Sequence, residues 1–188
     1  MGRRATLQLA RAGPGGSLLL FLWAALSILV SVDAYGQAPV FDETSVRAGF
    51  LFNFAKFVEW PANSAGSLDF CIVGDNRLAA YLETAVAGKT IGSRPLVVRG
   101  RPDIALLDSC GVIYIGRDKK MAAQAALMVA GKQILTVSEF PELRAQGAVI
   151  NFFLDNERVK FEVHLGALRR ADVKISSKLL SLARITGP

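Results

Sequence analysis

The stretch Leu68-Asp69-Phe70-Cys71-Ile72-Val73-Gly74-Asp75-Asn76 decides the fold. Leu68 to Val73 is a short, nearly continuous apolar run, and Gly74-Asp75-Asn76 places a turn directly behind it. The residues that follow carry Leu78, Tyr81, Leu82 and Ala85 at helical spacing, with Gly88 as a natural stop. A buried strand feeding a crossover helix is the expected local structure. The pattern then repeats downstream. Pro95 to Arg99 reads as a second strand and Gly111 to Ile115 as a third. Asp118 caps an Ala-rich helix ending at Gly131, and Ile134 to Val137 is a fourth strand. Strands alternating with helices predict a parallel sheet with helices on both faces.

The end of the chain changes style. Val149 to Leu154 and Val159 to Val163 flank Asp155-Asn156-Glu157-Arg158, which reads as a four-residue hairpin loop. Ser176 or Ser177 is expected to cap a final helix bearing Leu179, Leu180, Leu182 and Ile185. Upstream, Thr44 or Ser45 can cap an aromatic-rich helix running to about Glu59, stopped by Trp60-Pro61. Spacing of about 100° per residue puts Val46, Phe50, Leu51, Phe54, Ala55, Phe57 and Val58 on its broad apolar side. Gly49, Asn53, Lys56 and Glu59 share the other side, and Phe52 falls among them. The expected fold class is α/β: a three-layer sandwich around a mostly parallel, flavodoxin-like sheet, with an antiparallel hairpin at one edge.

In a flavodoxin-like order, 2-1-3-4, the first and third strands are neighbours. Cys71 lies in the first and Cys110 immediately precedes the third. Adjacent strands lie about 4.8 Å apart, within reach of a disulfide, so a Cys71–Cys110 bridge is expected.

The first 34 residues read as a secretory leader. Arg3, Arg4 and Arg11 precede an uncharged apolar run from Leu18 to Val30, and Val32-Asp33-Ala34 supplies a small-residue cut site. Cleavage after Ala34 leaves a flexible segment over 35–44 and one domain over 45–186. The competing reading is an uncleaved anchor, although the core from Ser17 to Val32 is about 16 residues where roughly 20 are needed. No stable membrane insertion is expected once the leader is removed. An exported chain with an even cysteine count favours the disulfide. The leader carries three arginines and Asp33, so the remaining net charge falls from +6 to +4. That is too mild for a nucleic-acid partner. The gathering of Arg169, Arg170, Lys174, Lys178 and Arg184 reads as a solvated face.

Catalytic signals are absent where they would be expected. Gly88-Lys89-Thr90 looks like the end of a phosphate loop, but Glu83 stands where the earlier glycine is required. His164 is the sole histidine, and no Gly-x-Ser-x-Gly elbow accompanies it. No enzyme activity, cofactor or metal is expected. A binding site is easier to place, because open α/β sheets hold ligands at the carboxyl ends of their strands. Asp75, Asn76, Arg117 and Ser138 occupy those ends. Turn and capping duty is the alternative reading of the same residues. A second candidate is the outer face of the first helix, where Phe52, Lys56, Glu59 and Trp60 offer aromatic and charged anchors for a partner.

The segment Val46-Arg47-Ala48-Gly49-Phe50-Leu51-Phe52-Asn53-Phe54-Ala55-Lys56-Phe57-Val58-Glu59-Trp60-Pro61 resembles the opening of the YfiR family of periplasmic proteins. Phe70 to Gly74, Cys110 before Gly111 to Ile115, Ile134 to Ser138 and Ile175 to Leu180 are similar in kind and order. The resemblance spans about residues 45 to 185. Two places depart from it: Gln146-Gly147-Ala148 stands where relatives often have paired glycines, and Val163-His164-Leu165 lacks an expected Asn. The resemblance implies a periplasmic repressor that binds the periplasmic domain of an inner-membrane diguanylate cyclase and lowers cyclic-di-GMP. It leaves self-association into a homodimer open. A small-molecule sensor or transport accessory, using the strand ends, is the alternative.

Overall fold

The computed structural model describes residues 42–60, 66–116, 124–125 and 132–187. The leader, Pro61, Arg117, Asp118 and most of the helix expected over 118–131 lie outside those residues. Helix α1 (Glu43–Phe57) is followed by β1 (Val58–Glu59), β2 (Leu68–Val73), α2 (Asn76–Val86), β3 (Thr90–Ile91) and β4 (Arg94–Gly100). A 3-10 turn over Ile104–Ser109 leads to β5 (Val112–Ile115) and β6 (Leu135–Ser138). A second 3-10 turn, Pro141–Arg144, leads to β7 (Ile150–Asp155), β8 (Arg158–His164) and α3 (Leu165–Arg170). The described chain closes with β9 (Lys174–Ile175), α4 (Ser177–Leu180) and β10 (Arg184–Thr186).

The main sheet has the order β10-β8-β7-β6-β5-β2-β4-β3. Strands β4, β2, β5, β6 and β7 run parallel, so the flavodoxin-like start of the order is present. All six residues of β2 are buried, as expected of a central strand covered on both faces. Leu68, Phe70 and Ile72 point to the side packed by α1 and α2, together with Tyr114 and Val137. Cys71 and Val73 point to the other side, with Ile113, Ile115, Leu107 and Leu143. Cys71 and Cys110 form the disulfide, with Cα atoms 6.0 Å apart across a separation of 39 residues. On a loop-entropy account such a bridge stabilises the fold by about 4 kcal/mol at most.

Four local readings are corrected. Helix α1 begins at least two residues earlier than a Thr44 or Ser45 cap would place it, because Asp42 is its N-cap and accepts from the Thr44 N–H. It ends at Phe57 rather than Glu59, since Val58 and Glu59 leave the helix to pair antiparallel with Ile175 and Lys174. The hairpin turn has two residues, not four: Asp155 pairs with Arg158, and Asn156 and Glu157 both take positive φ, as a type I′ turn demands. The final helix is a single turn. Leu182 is 69% exposed, and Ile185 sits in β10, whose backbone pairs with the open edge of β8. A free row of strand donors and acceptors is a stronger lure for Arg184-Ile185-Thr186 than another solvent-exposed helical turn.

The buried stripe of α1 also turns relative to the expected one. It comprises Thr44, Arg47, Ala48, Leu51, Phe54 and Ala55, spaced by three and four. Val46, Phe50 and Phe57 are half-buried. The helix is anchored by an aromatic cluster: the Phe54 ring centroid lies 4.8 Å from Phe161 and 5.6 Å from Phe152. Phe50 is 5.5 Å from Phe161 and 5.9 Å from Phe152. Phe54 is fully buried. Phe54→Ala is therefore expected to lower the unfolding free energy by about 3–5 kcal/mol, measured by urea denaturation. A loss below about 1 kcal/mol would show that the hairpin does not rely on this ring.

Candidate functional site

The carboxyl ends of β2, β5 and β6 meet under the N-terminus of α1. Asp75 caps α2, its carboxylate accepting from the Leu78 N–H at 2.9 Å. Asn76 Oδ1 accepts from Arg101 Nε at 2.9 Å. The Ser138 hydroxyl is fully buried, donates to the Ile115 carbonyl at 3.3 Å and accepts from the Phe140 N–H at 3.0 Å. Gly116 is packed so closely that a Cβ there would lie 3.1 Å from Asp75 Cβ and 3.3 Å from the Val73 carbonyl. Asp75 and Ser138 thus each hold a turn together.

Beside them is a charged network that sequence reasoning missed. Arg47 comes from the buried side of α1, its Nη2 donating to Glu43 at 3.0 Å. Its Nε lies 3.8 Å from Glu139 Oε1. The hydroxyl of the fully buried Tyr114 donates to the same carboxylate oxygen. The one available signal was an arginine at helical spacing from Leu51 and Phe54, which reads as core position rather than surface. Burial pushes the Glu139 carboxyl above the usual carboxylate range; Arg47 opposes the shift, and Asp75 and Glu43 add to it. A raised folded-state value means the protonated form is favoured by folding. Stability from this group is fully present below its unfolded value and is lost as pH rises through the folded one.

The candidate partner face divides. Phe52 is half-buried on the side of α1 that faces the end of α2, with the Lys56 ammonium 5.4 Å and the Lys89 ammonium 5.3 Å from its ring centroid. Trp60 turns back on its own helix, its indole N–H donating to the Ala55 carbonyl at 2.8 Å. Glu59 is exposed and stands opposite Lys174 across β1 and β9. Glu59 and Trp60 line a cleft of about 370 Å³ with Val58, Gln133, Asp172, Val173 and Lys174. This cleft lies at the amino end of the parallel strands, away from Asp75 and Ser138. His164, the last residue of β8, caps α3: its Nδ1 accepts from the Ala167 N–H at 3.0 Å. Among the described residues no cluster of three or more His, Cys, Asp or Glu is arranged to hold a metal. No described helix is long and apolar enough to cross a membrane.

A family model described as YfiR/HmsC-like matches residues 44–184. Among solved structures, the chain is similar to a conserved domain protein from Vibrio cholerae O1 biovar eltor, at 11% identity and a TM-score of 0.53. It is also similar to an ABC domain in complex with L-Trp from Streptococcus pneumonia, at 8% identity and a TM-score of 0.49. Each match covers 77% of this chain and 60% of the other, so the chain spans about three fifths of either. The first likeness is one of fold, the α/β sandwich with its parallel sheet.

The Glu139 network yields a pH test. Thermal unfolding of the wild type and Glu139→Gln is measured from about pH 4 to about pH 8, bracketing the ordinary carboxylate range. The wild type is expected to lose stability relative to the variant as pH rises, and the gap to level off once Glu139 is ionised. A gap that widens toward low pH would reverse the assigned sign.

Proposed function

The chain belongs to the YfiR/HmsC-like family, and from that premise we propose that it is a non-catalytic periplasmic regulator that binds the periplasmic domain of an inner-membrane diguanylate cyclase and lowers cyclic-di-GMP. The observation that carries this reading is the extent of the match, which takes in the domain from α1 to the start of β10. The disposition of α1 supports it. One side of the helix is committed to the core through Leu51, Phe54 and Ala55, while Asn53 and Lys56 remain exposed with Phe52 half-buried beside them. A half-exposed aromatic ringed by charge is a common anchor of a protein interface.

Deleting the gene in its host is expected to raise intracellular cyclic-di-GMP, and the wild-type gene is expected to restore it. In vitro, Phe52→Glu is expected to weaken binding to the cyclase periplasmic domain at least tenfold, about 1.4 kcal/mol, with the thermal midpoint unchanged. An unchanged cyclic-di-GMP level across several growth conditions would remove the repressor reading. Collapse of the fold in Phe52→Glu would instead assign that ring to the core.

The cleft beside Trp60 favours a second reading, a sensor or transport accessory for a small polar ligand. Its lining combines Glu59, Gln133, Asp172 and Lys174 with Val58, Trp60 and Val173, polar groups on an apolar floor. A thermal-shift screen against nucleotides, amino acids and metals tests it, because a ligand held at about 100 times its Kd stabilises the fold by about 2.7 kcal/mol. A reproducible rise abolished by Asp172→Ala supports the sensor; no rise with any compound removes it.

A further inference from the structure

The C-terminal half of α1 gathers three ammonium groups that no carboxylate among the described residues neutralises. Lys56 and Lys89 share the Phe52 ring, and the Lys178 ammonium stands 5.8 Å from the centroid of Phe57. Phe52 and Phe57 are five residues apart on one helix, about 140° around its axis, so the two rings border the exposed face of α1 on either side of Asn53 and Lys56, with Lys89 at one border and Lys178 at the other. Arg184 likewise lies over a ring, Phe153, at 3.9 Å, but five other basic side chains are met by carboxylates. Arg77 pairs with Asp42, Arg99 with Asp69, Lys132 with Asp108, Arg144 with Glu162 and Lys160 with Asp155. Glu59, just beyond the end of α1, faces Lys174 across β1 and β9. What remains is a positive surface whose cations are held over aromatic rings instead of trailing in solvent.

We propose that this face docks an acidic segment of a partner protein, whose carboxylates meet Lys56, Lys89 and Lys178 and whose apolar side chains rest on Phe52 and Phe57. The inference rests on the regulatory reading above and names the chemistry of the partner at the outer face of α1. Charge complementarity selects an acidic occupant, and the paired phenylalanines select one with apolar residues between its charges. An anionic membrane surface fits less well. Adhesion to lipid headgroups draws on clusters of four to eight cations, and both rings here are half-buried beneath ammonium groups with none left as an inserting wedge.

The test uses the mature protein, a fluorescent peptide alternating Glu and Leu, a Gln/Leu control peptide, equimolar phosphatidylcholine–phosphatidylglycerol vesicles, and the cyclase periplasmic domain. The wild type is expected to bind the Glu/Leu peptide and not the control, with affinity falling as salt is added. The triple variant Lys56→Gln, Lys89→Gln, Lys178→Gln is expected to lose at least tenfold in affinity at an unchanged thermal midpoint. Lys56→Gln alone, on an exposed side chain, gives the same test should the triple variant lose its fold. Equal peptide binding by wild type and variants, or binding to vesicles alone, overturns the proposal. The cyclase domain separates the two readings. If it binds wild type and triple variant alike, this surface is wrong and the regulatory reading stands. If it binds neither while the peptide still requires the lysines, the surface stands and the cyclase is not its partner.

Discussion

The contact of Phe50 and Phe54 with Phe152 and Phe161 joins the first described helix to the last hairpin. About a hundred residues separate the two elements in sequence, so closing that distance costs chain entropy that only a large apolar contact offsets. Once α1 is held there, its rotation about its own axis is set. Leu51, Phe54 and Ala55 face the sheet, Arg47 is carried inward at the upper end, and Lys56 is left facing out at the lower end. Tyr114 extends the cluster across the sheet, 6.4 Å from Phe152, and hands its hydroxyl to Glu139. Aromatic packing and the buried charge network are thus two ends of one arrangement.

Charge is handled in opposite ways at those ends. Arg47 is almost fully buried and is met by Glu43 and Glu139, as a buried guanidinium requires. Glu139 bears part of the cost, visible in its upward-shifted carboxyl. At the other end Lys56, Lys89 and Lys178 are exposed and lean on rings, Lys89 also donating to the Ala85 carbonyl, so they demand no carboxylate for folding. The first pattern locks a helix onto a sheet. The second leaves charge available to something outside the chain. The strand ends resemble the first pattern, since Asp75 and Ser138 spend their oxygens on local backbone groups.

Much of the architecture was legible in the chain. The run Leu68 to Val73 is a strand buried on both faces because five apolar side chains among six residues cannot all avoid water otherwise. The 2-1-3-4 order placed Cys71 beside the start of the third strand, and the bridge to Cys110 follows from strand spacing. Periodicity and turn chemistry act over a few residues; they located the strands and the hairpin, but not the length of its turn or the Asp42 cap of α1. The tertiary structure decided what depends on distant neighbours. Helix α1 carries phenylalanines on several sides, so its pattern could not say which would be buried; contact with β7, β8 and α2 chose Phe54 and left Phe52 at the rim. Val58–Glu59 and Arg184–Thr186 became strands because unpaired partners waited more than a hundred residues away for one and some twenty for the other. Arg47, Tyr114 and Glu139 converge from three separate elements. Sequence alone therefore determined which segments form the parallel strands of the sheet, whereas the phase of α1, the formation and pairing of the short strands and the meeting of charges were settled only by packing, because each is a relation between residues that the chain itself keeps far apart.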